Sequence, residues 1–291
     1  MIKIKRKLVN TIWRFFPKLV YWEKAKIYYK SHTGKELDYK NPKNINEKLM
    51  WLTRYWQHPL KTICADKYLV RDYLTQRGYD DILIPLLGVW DSPEQIDFDK
   101  LPNQFVLKCN HGSGYNIICI DKSCLDISEV KRKLNCWLNE DFSNRFYELH
   151  YQRIPRKIIC EQLISKAPVE CQFWCVNGKV DSILACLKGF DGSYKAYSYS
   201  LDKKRLYERI NENEDDVPNS ELDFHISENL IKYAENLAKP FPFVRVDFYV
   251  VENKIYFAEL TFTPNANILK AYKDVFLNRL GEKLILPKKY K

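Results

Sequence analysis

The sequence predicts an α+β protein with antiparallel sheets. Four apolar, strand-like stretches form two hairpin pairs, 171–176 with 179–187 and 243–251 with 254–263. The first pair is joined by Asn177-Gly178, a dipeptide that strongly indicates a two-residue hairpin turn. Helical periodicity, with apolar residues three or four positions apart, occurs before and between these hairpins. At 291 residues, the chain is long enough for one large domain or two linked lobes.

The N-terminal thirty residues are basic and have a helical pattern. Lys and Arg outnumber Asp and Glu by ten in the whole chain, and by eight within residues 1–30 alone. Apolar residues recur there at helical spacing, at Leu8, Ile12, Phe15 and Leu19. The rest of the chain is nearly neutral, so its charge does not favour a nucleic-acid partner.

This basic segment has two interpretations. A helix with Lys and Arg on one face and Trp and Phe on the other is typical of contact with an anionic membrane surface. Alternatively, the apolar face packs onto the body of the protein. No apolar run reaches the ~18 residues of a membrane span, and Arg14 and Lys18 interrupt the pattern of a signal peptide. Nine cysteines without a CxxC pair indicate reduced thiols. We therefore expect a cytoplasmic protein, with peripheral contact at the inner face of the membrane as the open alternative.

A lysine and two glycines separate two strand-like stretches in the first half of the chain. Apolar residues 105–107 precede Lys108, and strand formers resume at 116–120. Gly112 and Gly114 between them let the backbone turn sharply and approach a ligand closely. A strand, a lysine and a glycine loop together suggest a cradle for nucleotide phosphates. The alternative is a hairpin with a glycine-rich turn and a surface lysine.

The last hairpin carries four polar side chains on an apolar background: Arg245, Asp247, Glu259 and Thr261. Two carboxylates on neighbouring strands repel each other unless a cation neutralises them. Mg²⁺ suits such a site because it prefers oxygen ligands and is usually shared with substrate phosphates. The arginine, two residues before Asp247, can bind a phosphate through two hydrogen bonds. The alternative is an arginine–carboxylate ion pair on a solvated sheet face.

The register of this hairpin decides whether the metal site can form. A regular two-residue turn at Glu252-Asn253 would place Asp247 opposite Ala258 and turn Glu259 to the other face. A shared site therefore requires a β-bulge or a longer turn.

Motifs along about three quarters of the chain resemble the ATP-grasp superfamily, and more closely its TupA-like branch, which is linked to teichuronopeptide and polysaccharide biosynthesis. They are Asn46-Glu47-Lys48 with Trp51, Asp66-Lys67-Tyr68, Leu86 to Trp90, the His111 to Gly114 loop with its strand, Pro155 to Leu163, Asn177-Gly178, Arg245 to Tyr249 and Ala258 to Pro264. The resemblance implies an ATP-grasp fold, in which two α+β lobes with antiparallel sheets grip ATP. It places a basic helical region at 1–80, the first lobe at 81–165 and the second at 166–291.

The resemblance also implies an ATP site. The matching positions are Lys67, Lys108, His111, Gly112, Ser113, Gly114, Glu161, Leu163, Ile164 and Glu170. The two lysines would contact the phosphates, and the loop at 111–114 would close over them. The segment 161–164 would receive adenine, and Glu170 matches an acidic position near the ribose.

The catalytic and metal positions are implied in the same way. Arg245 is similar to the phosphate-binding, catalytic arginine, and Asp247, Glu259 and Thr261 to the Mg²⁺ ligands. Gln172 departs from the lysine or arginine that related sequences often have, which puts one phosphate contact in doubt. Thr261 replaces the asparagine of amino-acid ligases.

The implied function is an ATP-dependent ligase in capsular or cell-surface polysaccharide biosynthesis. A carboxylate would be activated as an acylphosphate and joined to an amine or amino acid, with ATP and Mg²⁺ as cofactors and a small or lipid-linked sugar as substrate. The alternatives are a glycosyltransferase, a kinase-type transferase of the same pathway, and a non-catalytic scaffold for polysaccharide assembly.

Overall fold

The computed structural model describes residues 17–143, 147–188, 194–210 and 227–290. Its α-helices are α1 (Pro17–Thr33), α2 (Ile45–Tyr55), α3 (Pro59–Ala65), α4 (Val70–Thr75), α5 (Ile127–Asn139), α6 (Glu228–Ala238) and α7 (Asp274–Lys283). Its strands are β1 (Leu86–Trp90), β2 (Phe105–Cys109), β3 (Asn116–Cys119), β4 (Ile158–Gln162), β5 (Val169–Val176), β6 (Lys179–Lys188), β7 (Tyr194–Tyr199), β8 (Arg205–Leu206), β9 (Phe243–Val251) and β10 (Lys254–Thr261). The predicted α+β class is confirmed.

The strands form two sheets, and every pairing between neighbouring strands is antiparallel. The first sheet has the order β1-β4-β2-β3, and the second has the order β10-β9-β5-β6-β7-β8. Both predicted hairpins are present, β5 with β6 around Asn177-Gly178 and β9 with β10 around Glu252-Asn253. Asn177, Glu252 and Asn253 adopt positive φ, as tight turns of this kind require.

Each sheet has its own hydrophobic core. The first sheet packs its apolar face against α5, with Phe105, Leu107 and Leu134 fully buried. The second sheet buries Phe173 and Val246 in a larger core that also includes residues of α1 to α4, α6 and α7. The N-terminal helices therefore share a core with the second sheet, although they precede the first sheet in the chain.

The described part of the basic N-terminal segment packs onto the protein. On α1, Ala25 and Tyr29 are fully buried, and Trp22 packs against the larger core. The Tyr21 hydroxyl donates to the carbonyl of Ser143 at 3.5 Å. For this part of residues 1–30, the structure agrees with the interpretation that the apolar face packs onto the body of the protein. Residues 1–16 lie outside the described residues. Within the described ranges, no helix is both long enough and apolar enough to span a bilayer.

The sequence predicts a side-chain cap at Asn44 or Asn46 for α2, at Ser128 for α5 and at Ser227 for α6. The structure agrees at α2 and α6 but differs at α5. Asn44 caps α2 and accepts from the backbone of Glu47 at 3.0 Å, which completes a capping box, and Ser227 caps α6. The prediction that Ser128 caps α5 is wrong. Asp126 is the cap, because the helix begins one residue after it and its carboxylate can accept from the third backbone N–H.

The sequence predicts one helix from Asp66 through Gln76, stopped by Gly78. The structure instead has a break followed by the shorter α4. The carboxylate of Asp66 accepts from the backbone N–H groups of Tyr68 at 2.8 Å and Leu69 at 3.3 Å. These bonds stabilise a turn instead of a continuing helix. Lys67 lies in this turn, and its ammonium donates to the carbonyl of Gly112.

Candidate active site

A β-bulge in the second hairpin brings two carboxylates to one face. Phe257 opposes Phe248, as in a regular two-residue hairpin, but Glu259 opposes Asp247. Ala258 is the extra residue between them. Because paired residues share a face of the sheet, both carboxylates point to the same side. The structure therefore has the bulge that a shared site requires.

Four side chains on this face form one hydrogen-bonded group. Arg245 donates to both carboxylate oxygens of Asp247, from Nε to Oδ1 at 2.8 Å and from Nη2 to Oδ2 at 2.6 Å. The Thr261 hydroxyl donates to Oε1 of Glu259 at 2.8 Å, and Arg245 Nη2 lies 3.6 Å from the same oxygen. The ion pair expected under the alternative interpretation is thus present, but it is buried and not on a solvated face.

The electrostatics of the group follow from this burial. Burial raises the pKa of Asp247 to about 7, although Arg245 opposes the shift. Burial also disfavours the charge on Arg245, but Asp247 outweighs it, so the arginine pKa rises. For Glu259 burial is outweighed by Lys67 and Arg245, and its pKa falls below the usual range. Asp247 has no exposed surface, whereas the side chain of Glu259 is 40% exposed.

The donor set fits a hard cation. Asp247, Glu259 and Thr261 offer oxygen atoms only, which Mg²⁺ prefers. In the described part of the chain, no group of three or more His, Cys, Asp or Glu side chains is arranged as a metal centre. A bound cation would therefore need further ligands, and Mg²⁺ usually takes them from water and substrate phosphates.

Two polar residues of β5 adjoin this group. Gln172 opposes Asp247 in the sheet, and Glu170 opposes Tyr249. Both are buried, and the Gln172 amide donates to Glu170 at 2.8 Å. Gln172 thus holds the carboxylate that the resemblance places near the ribose.

The first sheet contributes a second polar group. Lys108 on β2 forms a 2.6 Å ion pair with Glu161 on the adjacent β4. Arg71 on α4 lies 3.3 Å from the other oxygen of Glu161. Sequence reasoning did not identify Arg71, whose only signal is its position on the helix that follows Lys67. Leu163 and Ile164 are half-buried in the connection from β4 to β5.

The glycine loop follows β2 and is fixed on one side. Lys67 Nζ donates to the carbonyl of Gly112 at 2.5 Å. A Cβ added at Gly112 would lie 2.7 Å from the Tyr115 ring, so only glycine fits there without movement. Gly114 has φ of +78°, and Ser113 and Gly114 are both exposed. The exposed tip is the part of the loop that can meet a ligand.

The His111 side chain faces away from that tip. It is buried, and its Nε2 lies 3.0 Å from the carbonyl of Trp137 on α5. Burial lowers the pKa of this imidazole. Any contribution of His111 to a nucleotide site therefore comes from its backbone.

Asn110 anchors the loop and was missed by the sequence analysis. Its amide nitrogen donates to Asp66 and to the carbonyl of Pro155, each at 2.9 Å. Its side-chain oxygen accepts from the backbone of Lys157 at 2.8 Å. Asn110 thus ties the Lys67 turn to the glycine loop. The only sequence signal was its place inside the Cys109 to Gly114 motif.

Lys67 joins the two polar groups. Burial lowers its pKa, and Glu259 on the second sheet is the largest charge that opposes this shift. A small pocket beside Lys67 is lined from both sheets, by Lys108 and Glu161 on one side and by Phe257 and Ala258 on the other. The predicted ATP, catalytic and metal residues therefore lie mainly at one place, between the sheets.

The chain is similar to a known protein family and to several solved structures. The family model described as TupA-like ATPgrasp matches residues 47–285. No curated protein sequence matches the chain. Solved structures with a similar fold include a D-alanine–D-alanine ligase from Bacillus anthracis, with 17% identity over 83% of this chain and 70% of that chain and a TM-score of 0.42.

Two further solved structures are similar to the chain at comparably low sequence identity. The ATP-grasp ligase PsnB, solved with a phosphomimetic variant of its minimal precursor, Mg and ADP, has 11% identity over 81% of this chain and 65% of that chain and a TM-score of 0.48. An L-amino acid ligase from Bacillus licheniformis has 14% identity over 78% and 51%, also with a TM-score of 0.48. This chain spans less than two thirds of both proteins.

Proposed function

Because this chain belongs to the TupA-like ATP-grasp family, we propose that it is an ATP-dependent carboxylate–amine ligase. A carboxylate oxygen of the substrate attacks the γ-phosphorus of ATP, the bond to the β-phosphate oxygen breaks, and ADP leaves. The resulting acylphosphate is then attacked by an amine, which forms an amide, releases inorganic phosphate and loses a proton. We further propose that the carboxylate belongs to an acidic sugar of capsular or cell-surface polysaccharide biosynthesis.

The observation that supports this function is that two polar groups, one with lysines and one with carboxylates, lie on either side of Lys67. Lys108 and Lys67 lie on the side of the first sheet, near the glycine loop. Asp247 and Glu259 lie together on the second sheet. A polyphosphate with a bound cation needs both, because its oxygens require cationic donors and its metal requires anionic ligands.

Each predicted residue has a role in this proposal. Lys67 and Lys108 bind ATP phosphates, and Arg245 stabilises the charge that develops on the transferred phosphoryl group. Asp247, Glu259 and Thr261 would hold Mg²⁺, which supplies charge neutralisation when bound. The loop tip at 113–114 excludes water from the acylphosphate, which water would otherwise hydrolyse.

The adenine and ribose positions complete the proposed site. Adenine would lie at the segment 161–164, and Glu170 would contact the ribose. The division of the chain into 1–80, 81–165 and 166–291 remains a proposal, as do a lipid-linked acceptor and a cytoplasmic location with peripheral membrane contact.

A nucleotide titration tests the site directly. We expect a non-hydrolysable ATP analogue to raise the melting temperature of the full chain only with Mg²⁺ present. Asp247→Asn should abolish this Mg²⁺-dependent stabilisation, because it removes one anionic ligand. Asp181→Asn is the matched control, since Asp181 is also buried and ion-paired, with Arg279 and Lys283, but outside the site. A folded protein that fails to bind the analogue would contradict the proposal.

Product analysis then distinguishes a ligase from the other candidates. A ligase releases ADP and phosphate only when an acidic sugar and an amine are both present. Phosphorylated sugar as the end product would indicate a kinase. Binding of UDP-sugars in place of ATP would indicate a glycosyltransferase, and binding of neither would favour a scaffold.

A further inference from the structure

A second group of polar side chains, to which the proposed reaction assigns no role, is buried beside the phosphoryl-transfer residues. Lys61 comes from α3, Glu148 and His150 from the turn before β4, and Thr263 from the residues just after β10. Their exposed fractions are 2%, 6%, 1% and 4% respectively. We call these four residues the buried polar cluster. Burial of polar groups is costly unless each finds a partner.

Only part of this cost is met within the described residues. The Thr263 hydroxyl donates to the Glu148 carboxylate. Both ring nitrogens of His150 are buried, and neither has a hydrogen-bond partner in the described ranges. The Lys61 ammonium forms no ion pair within 4.0 Å there, and Glu148 is the charge that acts on it most strongly. Among the residues that the structure describes, the His150 imidazole thus has no hydrogen-bond partner and the Lys61 ammonium has no carboxylate within ion-pair distance.

The cluster adjoins the candidate active site. Thr263, whose hydroxyl donates to Glu148, is two positions after Thr261, and Lys61 Nζ lies 5.8 Å from the centroid of the Phe262 ring. The charge of Glu259 acts on Glu148 and also on Tyr151, the residue after His150. A group held by Lys61 and His150 would therefore be next to the residues that handle the transferred phosphoryl group.

We propose that Lys61 and His150 bind the carboxylate of the substrate that is to be activated, with Glu148 as a positioning residue for Lys61. The assignment rests on the proposed function, since it supplies the acceptor end of the same reaction. A carboxylate gives the ammonium a charge partner and gives His150 an acceptor. The phosphates of ATP already have Lys67, Lys108 and Arg245, so the unpaired cation of the cluster is free for a different anion.

A thermal-shift titration of the full chain with sodium acetate tests this assignment, with sodium chloride at equal ionic strength as the control. Acetate is used because it is a small carboxylate without any other functional group. We expect acetate to stabilise the wild type more than chloride does. Lys61→Met should weaken the apparent acetate affinity by at least ~10-fold, because it removes a charge-assisted hydrogen bond. His150→Gln should weaken it less, because an amide can still donate.

Lys232→Met is the control variant, since Lys232 is a largely exposed lysine of α6 near Glu228. It should behave like the wild type. Equal stabilisation of the wild type by acetate and chloride would overturn the proposal, and so would an unchanged acetate affinity in Lys61→Met. If Lys61→Met does not fold, His150→Gln tests the proposal instead. An acetate affinity of His150→Gln equal to that of the wild type would then overturn it.

A parallel titration with the ATP analogue and Mg²⁺ separates the two hypotheses. We expect Lys61→Met and His150→Gln to change the nucleotide affinity by less than about twofold, since neither contacts the proposed phosphate site. Failure of the wild type to bind the ATP analogue would contradict the proposed ligase function. The acetate titration would still test whether the buried polar cluster binds a carboxylate. A large loss of nucleotide affinity in Lys61→Met would place this lysine in the phosphate site and overturn the assignment.

Discussion

The two halves of the candidate active site differ in the sign of their charge. The half near the first sheet has three cations around one carboxylate: Lys67, Lys108, Arg71 and Glu161. The half on the second sheet has three carboxylates around one cation: Asp247, Glu259, Glu170 and Arg245. One half is suited to phosphates and the other to a metal ion, so neither is sufficient alone for a metal–nucleotide complex.

The halves also differ in how firmly their charges are held. The Arg245–Asp247 pair is the most buried, since Asp247 has no exposed surface and Arg245 is 11% exposed, whereas Arg71 and Lys108 are 16% and 18% exposed. In the same two halves, Glu259 is 40% exposed and Glu161 is 9% exposed. The buried pair is joined by two parallel hydrogen bonds, while Lys108 is joined to Glu161 by one. We infer that the Arg245–Asp247 pair is fixed by the fold. Lys108 and Arg71, in the half near the first sheet (the phosphate half), and Glu259, in the half on the second sheet (the metal half), can rearrange around a ligand.

The largest effect is expected from Arg245→Met. The variant leaves Asp247 buried without its partner, so we expect the free energy of unfolding to fall by ~3–5 kcal/mol. Ligase turnover should fall by ~10²-fold or more, since a donor to the transferred phosphoryl group is lost. Urea denaturation and the rate of ADP release measure the two effects.

Arg279→Met is the matched control for Arg245→Met. Arg279 also pairs with two carboxylates, Asp181 and Glu208, but it lies outside the site. It should lower stability while leaving turnover of the remaining folded protein intact. If both variants reduced turnover equally, the loss would reflect stability and not the chemistry of Arg245.

A second prediction concerns the pH dependence of stability and the buried polar cluster beside the candidate active site. Burial raises the pKa of Glu148 from 4.5 to about 7. Between those values the folded protein binds more protons than the unfolded chain, so the free energy of unfolding falls as the pH rises. The contribution of this residue amounts to ~3 kcal/mol over that window. Glu148→Gln should remove this fall, because glutamine does not titrate.

Urea denaturation of both proteins at several pH values from 4.5 to 8 measures this difference. We expect Glu148→Gln to be the more stable protein at pH 8 and the two to converge near pH 4.5. Parallel pH profiles for the wild type and Glu148→Gln would show that Glu148 is ionised throughout and that Lys61 or Thr263 compensates its charge fully.

The fold and the second-sheet half of the site were largely predictable from the sequence. Asn177-Gly178 fixed one hairpin, and the register argument at Glu252-Asn253 stated the condition for a shared site, a bulge before Glu259. These features depend on turn chemistry and on the two-residue period of a strand, both of which are local. The family match over 47–285 agrees with the motifs that carried the resemblance.

Contacts between distant segments were not predictable in the same way. Asn110 meets Asp66 and the Pro155 carbonyl, and Lys61 lies near Phe262, about two hundred positions away in the chain. No periodicity links such residues. Asn110 and Pro155 meet because β2 and β4, beside which they lie, pair in the first sheet, and Lys61 reaches Phe262 because α3 contacts β10. The wrong cap of α5 has a local cause, since Asp126 and Ser128 are both good capping residues two positions apart.

The smallest effect is expected from Lys108→Met, the counterpart of Arg245→Met in the phosphate half. Glu161 keeps Arg71 at 3.3 Å in this variant, so the free energy of unfolding should change by less than ~1 kcal/mol. Affinity for the ATP analogue should still fall by ~10-fold, because a charge-assisted contact to a phosphate is lost. Calorimetric titration with Mg²⁺ and the analogue measures the affinity.

Glu161→Gln and the double variant complete the comparison. Glu161→Gln releases Lys108 from its ion pair, and we expect the analogue affinity to change by less than about threefold. The coupling between Lys108 and Glu161 in the free energy of unfolding should be ~1 kcal/mol or less by a double-mutant cycle. A loss of unfolding free energy in Lys108→Met as large as that in Arg245→Met would show that Lys108 is held as firmly as Arg245.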